Sequence, residues 1–207
     1  MASRGYLILA LALSVCLTAY NFVEVKPVQF GPIPLTAGFV LITLSYIISD
    51  CITELYGFRA MRTVITTVFG LHLFMISMVQ LSCWMPSHPL WQDEAAYELI
   101  LGQTPWIAVL SAVAFCLGSM VNAWVMHRLK ARWAARHFRL RAFLSTVAGE
   151  GIDNTFFFTI AFSTLLPGEE VCKVIIAQVG SKLLLEAVAL PITHRVVNYL
   201  QRSENLC

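Results

Sequence analysis

An all-α, polytopic membrane fold follows from three observations. Hydrophobic residues make up 58% of the chain, charged residues only 13%, and the apolar residues fall in long blocks instead of amphipathic alternation. A helix needs about 20 apolar residues to cross the hydrocarbon core. Six blocks approach that length: Gly5 to Val23, Ile33 to Ile48, Thr63 to Trp84, Trp106 to Met126, Phe143 to Leu166, and Val171 to about Val197. In 207 residues they leave little for a soluble domain, so residues 1–207 are expected to form one six-span unit.

The first block follows Arg4 as a secretory signal would, yet no small-residue cleavage site follows it. In Leu13-Ser14-Val15-Cys16, Val15 is too large for the position before a lipoprotein cysteine, so the block is read as a retained span. The second block leads into Asp50-Cys51-Ile52-Thr53-Glu54-Leu55-Tyr56-Gly57, where Gly57 is expected to end the helix before Arg59 and Arg62. The one long connection, Met85 to Pro105, contains Asp93 to Ile100, which predicts a short amphipathic surface helix. The six cysteines, Cys16, Cys51, Cys83, Cys116, Cys172 and Cys207, lack paired metal-ligand spacing and read as small buried apolar residues, with a Cys83–Cys172 bridge the weaker alternative. No metal and no cofactor is expected.

Basic residues orient the bundle. Arg4, Arg59, Arg62, the run Arg128, Lys130, Arg132, Arg136, Arg139 and Arg141, and then Arg195 and Arg202 all fall on one side, against Lys26 and Lys173 on the other. The positive-inside bias places both termini and the basic loop in the cytoplasm, and Asp93, Glu94, Glu98 and Glu169 outside. A basic run between two spans reads as a topology signal and a contact for anionic lipid, so no nucleic-acid partner is expected.

Four polar constellations remain. Asp50 and Glu54 share a helical face, with a salt-bridged cytoplasmic turn as the plain alternative to a functional role. Glu150 and Asp153, in Gly149-Glu150-Gly151-Ile152-Asp153-Asn154, lie well inside an apolar run, where the flanking glycines allow close backbone approach. Lys182 and Glu186 are four apart, and either pair with each other or turn Lys182 toward the acidic fifth span. Asn122 is the weakest of the four. Trp84, Trp106, Trp124 and Trp133 suit an interfacial belt, while Phe156-Phe157-Phe158 must turn at least one ring inward.

The run from Ser45 through Asp50-Cys51-Ile52-Thr53-Glu54-Leu55-Tyr56-Gly57 resembles the D-x-x-T-E-x-Y-G signature of the VUT family of queuosine precursor transporters. Asn122 with Leu129-Lys130, Arg141 with Ser145 to Asp153, Ala161-Phe162, and Lys182, Glu186 and Pro191 extend the likeness in order. The resemblance implies a bacterial inner-membrane importer of 7-cyano- or 7-aminomethyl-7-deazaguanine, or of queuine, for queuosine in transfer RNA. It also implies a six-helix plan similar to the substrate-binding subunits of energy-coupling-factor transporters, working without their ATPase. Thr43 stands where many relatives carry proline, and Gly149-Glu150 where a large branch carries serine-glutamine, so the preferred precursor is open.

A deazaguanine edge carries ring N–H and amine donors, which an acceptor-only carboxylate suits. The substrate-binding residues expected are Glu150, Asp153, Asn154, Lys182 and Asn122, and those for gating or coupling are Asp50, Glu54, Tyr56, Arg59 and Glu186, with Arg59 or Arg62 as the partner of Glu54. No enzyme is expected: Gly149 to Asp153 reads G-x-G-x-D, not the G-x-G-D of intramembrane aspartyl proteases, and no G-x-S-x-G turn is present. The other class weighed is a binding subunit that captures another metabolite and depends on an ATPase partner. Homo-oligomerisation is left open.

Overall fold

Ser3 opens the first helix. Its hydroxyl accepts from the Tyr6 N–H at 3.2 Å, and α1 spans Arg4–Val23. The computed structural model describes residues 3–30, 33–102, 105–133, 137–162 and 167–203. Residues 163–166 of the expected fifth block, and Cys207, lie outside them.

After α1 the chain departs from expectation. β1 (Pro27–Phe30) pairs antiparallel with β2 (Ile33–Thr36), Val28 opposite Leu35, and Ala37 N–H closes the hairpin on Lys26 O at 2.9 Å. The second apolar block was expected to be helical from Ile33, yet its helix starts only at Phe39. Pro34 lacks an N–H and pushes its predecessor toward extended geometry, and the β-branched Ile33 and Thr36 suit a strand.

α2 spans Phe39–Trp84, 46 residues broken at Gly57 with φ 83° and ψ 170°. Unbroken, it would run about 69 Å, more than twice the hydrocarbon core. The backbone there is one that a side chain would resist, so glycine makes the break feasible. Contacts with α1 show that the chain reverses at this point. Ser3 Oγ donates to Tyr56 Oη at 3.1 Å, and a Cβ on Gly38 would meet the Tyr20 ring at 2.7 Å, so the arm 39–56 runs antiparallel to α1. Beyond Gly57, Tyr6 Oη donates to Ala60 O at 3.4 Å and Asn21 Nδ2 lies 3.0 Å from His72 Nε2, so the arm 58–84 runs parallel to it.

α3 (Glu94–Leu101) is the expected short helix, tied to the end of α2 by Ser82 Oγ and Tyr97 Oη at 2.7 Å. α4 (Pro105–Arg132) starts on proline, which needs no N–H partner in the first turn, and ends with Lys130 and Arg132 at its negative pole. α5 (Phe138–Phe162) and α6 (Gly168–Ser203) complete the bundle. α4 runs alongside the first arm of α2, Gly118 beside Tyr46 and Lys130 beside Glu54. α5 runs against both of these, and also against α6.

α4 and α5 touch through glycine. A Cβ on Gly118 would lie 2.8 Å from Gly149 O, and one on Gly149 would lie 2.8 Å from both Gly118 O and the Asn122 Cβ. The close approach expected of the glycines around Glu150 is therefore made by Gly149 and not by Gly151, which has nothing within 4 Å. Leu13, Leu17, Ile42, Tyr46, Met61 and Ile65 pack the core, while Leu7, Leu11, Val15, Phe74, Ile176, Leu184 and Val188 stand exposed on outer helix faces, as lipid contact requires. Among the described residues, α1, α2, the stretch that contains α4, and α6 are long and apolar enough to cross a membrane. α5 carries Arg139, Arg141, Glu150 and Asp153 and is not among them. Cys16, Cys51, Cys83, Cys116 and Cys172 are all free thiols, so the Cys83–Cys172 bridge is not formed.

Candidate functional site

Glu150, Asp153 and Asn154 lie on the buried face of α5, opposite Lys182 of α6. Lys182 Nζ donates to Glu150 Oε2 at 2.8 Å and to Asn154 Oδ1 at 3.3 Å. Asn154 Nδ2 in turn donates to the same Glu150 oxygen and to the Glu150 carbonyl, both at 2.7 Å. Lys182 therefore turns toward the fifth helix and not toward Glu186, deciding between the two arrangements that their spacing allowed. Asp153 accepts from Tyr46 Oη at 3.3 Å. A lysine paired with a glutamate inside an apolar bundle retains each charge at lower cost than either alone, and the second Asn154 bond fixes the geometry.

Between these groups and the ends of α1 and α4 lies a cavity with about 520 Å³ of empty space including its open mouth. Asp153, Asn154 and Lys182 supply its polar wall with Glu24, Gln178 and Tyr20, while Phe115, Phe157 and Phe158 supply aromatic faces. It sits toward the β-hairpin end of the bundle, away from the basic loop between α4 and α5. Two carboxylates, Glu24 and Asp153, face it with the single ammonium of Lys182, and that ammonium is already held by Glu150. A donor-rich, flat ligand matches such a lining.

Tyr20, Glu24, Gln178 and Phe115 were not singled out from the sequence. Gln178 is one helical turn before Lys182, so the face carrying the lysine predicts it. Glu24 offered a weaker signal, a carboxylate at the end of the first apolar block, and only the packing of α1 against α2 brings it to the cavity.

A second polar cluster lies nearer the basic loop. Arg141 Nη1 and Nη2 donate to the two oxygens of Glu54 at 2.7 and 3.0 Å, a forked pair in which the arginine side chain is fully buried. Lys130 Nζ lies 3.5 Å from Glu54 Oε1 and also donates to the Glu54 carbonyl. The expected partners Arg59 and Arg62 are instead exposed, because the reversal at Gly57 carries them past the pairing face. Asn122 Nδ2 donates to Asp50 Oδ1 at 2.9 Å, and Thr146 Oγ1 donates to Glu186 Oε1 at 2.9 Å. Asn122, expected to bind substrate, is thus part of this inner cluster and is not among the residues that line the cavity. Tyr56 stands apart, its hydroxyl accepting from Ser3 and its ring packed edge-on against Tyr6 at 5.2 Å. Among the described residues no group of three or more His, Cys, Asp and Glu side chains could hold a metal ion.

An apolar helical bundle with charge pairs in its interior and a polar cavity between its helices has the architecture of a helical membrane transporter. The sequence match agrees: residues 36–196 fit the family described as "putative vitamin uptake transporter", and the chain belongs to that family. No curated protein matches it.

Proposed function

We propose that this chain imports 7-deazaguanine precursors of queuosine, 7-cyano-7-deazaguanine or 7-aminomethyl-7-deazaguanine, across the bacterial inner membrane. The observation that carries the reading is the cavity, which sets an acceptor-only carboxylate, Asp153, beside the aromatic faces of Phe115, Phe157 and Phe158. Asp153 accepts the ring N–H and exocyclic amine donors of the base, Lys182 or Asn154 donates to its carbonyl, and a phenyl ring stacks on its face. Glu150 acts through Lys182 by holding the ammonium in place. Six membrane spans, α1, the two arms of α2, α4, α5 and α6, place both termini and the basic loop in the cytoplasm under the positive-inside bias, with the cavity toward the outside.

In this reading the inner cluster closes the cytoplasmic side, with the forked Arg141–Glu54 pair, supported by Lys130, as the gate. Import requires that pair to separate, which suits a site near one face and alternating access. The testing experiment is uptake of labelled 7-cyano- and 7-aminomethyl-7-deazaguanine by cells that cannot make queuosine, with and without this chain. Accumulation that depends on the chain is the expected result, and equal uptake without it would refute the assignment.

A further inference from the structure

The cations of the inner cluster are unequally shared. Glu54 takes both Arg141 and Lys130, and Lys182 is taken by Glu150. Asp50 and Glu186, 1% and 0% exposed, lie within electrostatic reach of each other. Neither stands within ion-pair distance of a cation among the described residues. Glu186 has one neutral donor, Thr146, while Asp50 has Asn122 and the Ser145 hydroxyl, with Arg141 near enough to act on it electrostatically but outside ion-pair distance. Two carboxylates so deep in an apolar bundle are costly unless a positive charge accompanies them.

A second observation lies in the oxygens left over. Glu186 Oε2 and Asn122 Oδ1 are fully buried and have no hydrogen-bond partner among the described residues. Asn122 turns its N–H₂ to Asp50, so its carbonyl oxygen, on the same amide carbon, stands beside that carboxylate. Both unused atoms are acceptors, and neither can satisfy the other. What they lack is a proton or a hard cation. The charged groups around the pair are Glu54 on α2, Lys130 on α4, Arg141 and Glu150 on α5, and Lys182 on α6, each already matched in an ion pair.

We propose that Asp50 and Glu186, with the Asn122 carbonyl, hold one coupling cation, a proton or a sodium ion, whose binding and release drive the import proposed above. The site joins α2, α4, α5 and α6. It lies between the Glu54–Arg141 gate and the Lys182–Glu150 pair, Asp50 one turn from Glu54 and Glu186 one turn from Lys182. Loading it would therefore bias both.

The proposal rests on the transport reading only for its purpose, and its first test needs no substrate. Purified protein in sodium-free potassium or choline salt is examined by infrared difference spectroscopy across pH, and its thermal midpoint is followed on adding sodium at constant ionic strength. A proton site gives a protonated-carboxyl carbonyl band that titrates with pH and is missing from Glu186→Gln or Asp50→Asn. A sodium site gives a sodium-specific rise in thermal midpoint that Glu186→Gln abolishes. Neither signal in the wild type, or a band retained in both variants, overturns the proposal, and the wild-type series stands if a variant fails to fold. In proteoliposomes, Glu186→Gln should keep exchange of labelled 7-aminomethyl-7-deazaguanine while losing accumulation driven by a proton or sodium gradient. Undiminished gradient-driven accumulation by that variant would overturn the coupling role. Absence of any exchange by the wild type would count against the transport reading instead, with the spectroscopic result still deciding the cation site.

Discussion

The two polar clusters use the same chemistry for opposite ends. At the cavity, Lys182 and Glu150 form a pair beside open space, with Asp153 and Glu24 facing that space. Nearer the basic loop, Arg141 and Glu54 form a pair sealed on all sides, the arginine side chain 0% exposed and Lys130 covering it from α4. A charge pair beside a cavity can exchange partners with a ligand. A sealed pair can only hold helices together or come apart when they move. The difference separates residues whose loss should weaken binding from residues whose loss should alter movement.

The largest effect should come from breaking the cavity cluster. Lys182→Met leaves Glu150 buried without its cation, which typically costs about 3–5 kcal/mol, so both protein yield and uptake should collapse. Asp153→Asn is the sharper variant because it keeps shape and abundance. Losing a charge-assisted acceptor costs on the order of 1.5–3 kcal/mol, so substrate affinity should fall at least tenfold, as read by equilibrium binding to purified protein. Unchanged affinity in Asp153→Asn would remove that residue from the site.

Next in size is the sealed pair. Glu54→Gln should slow the initial rate of uptake more than it weakens binding, since the cavity stays intact while the sealed cluster loses a charge-assisted fork. Measuring affinity and initial rate on the same preparation decides this, and proportional losses would place Glu54 in the binding shell. Arg141→Met alone should be worse than Arg141→Met with Glu54→Gln, because the single variant leaves a buried carboxylate with only the longer Lys130 contact.

Much of this contrast was legible in the sequence, though unevenly. Carboxylates inside apolar runs are expensive enough to announce themselves, so Asp50, Glu54, Glu150 and Asp153 stood out, and Gly57 was read as a helix end. Partners were harder to read. Helical spacing relates residues on one helix, whereas the forked pair joins Glu54 to Arg141, 87 residues away, and Asn122 reaches Asp50 across 72. Nothing in local periodicity specifies which helices become neighbours, so Arg59 and Arg62, close in sequence, were the natural and mistaken partners. The hairpin at Pro27–Thr36 escaped because its strands are only four residues each and merge with an apolar run. The cavity wall from Tyr20 and Glu24 escaped with it, since α1 carries no other charge near that end.

A smaller effect tests how the two clusters share one scaffold, since α4 and α5 carry residues of both. Gly118→Ala and Gly149→Ala each place a methyl 2.8 Å from a facing carbonyl oxygen, so the helices must separate. Overpacking of this kind costs roughly 1–3 kcal/mol, and a lowered thermal midpoint should report it. Gly151→Ala, with nothing within 4 Å, is the control and should leave stability unchanged or slightly raised. Equal destabilisation by all three would mean that the glycines matter for backbone freedom and not for close approach.

The smallest expected effect on activity is the most informative about direction, because it asks which cluster faces which compartment. Gln92 is exposed between α2 and α3, on the side of the cavity, and Ala131 is exposed at the end of α4 beside Lys130 and the sealed pair. Neither touches either cluster, so Gln92→Cys and Ala131→Cys should transport normally. Cys172 is exposed and Cys83 partly so, and both must first be replaced by serine to silence the background. In intact cells an impermeant thiol reagent should then label Gln92→Cys and spare Ala131→Cys, with both labelled once the membrane is opened. The basic residues Arg128, Lys130, Arg132, Arg136, Arg139 and Arg141 around Ala131 resist transfer across the membrane, which is the physical reason for this orientation. The reverse labelling pattern would turn the cavity toward the cytoplasm and make the sealed pair an outer gate, converting the proposed importer into a protein that loads from within.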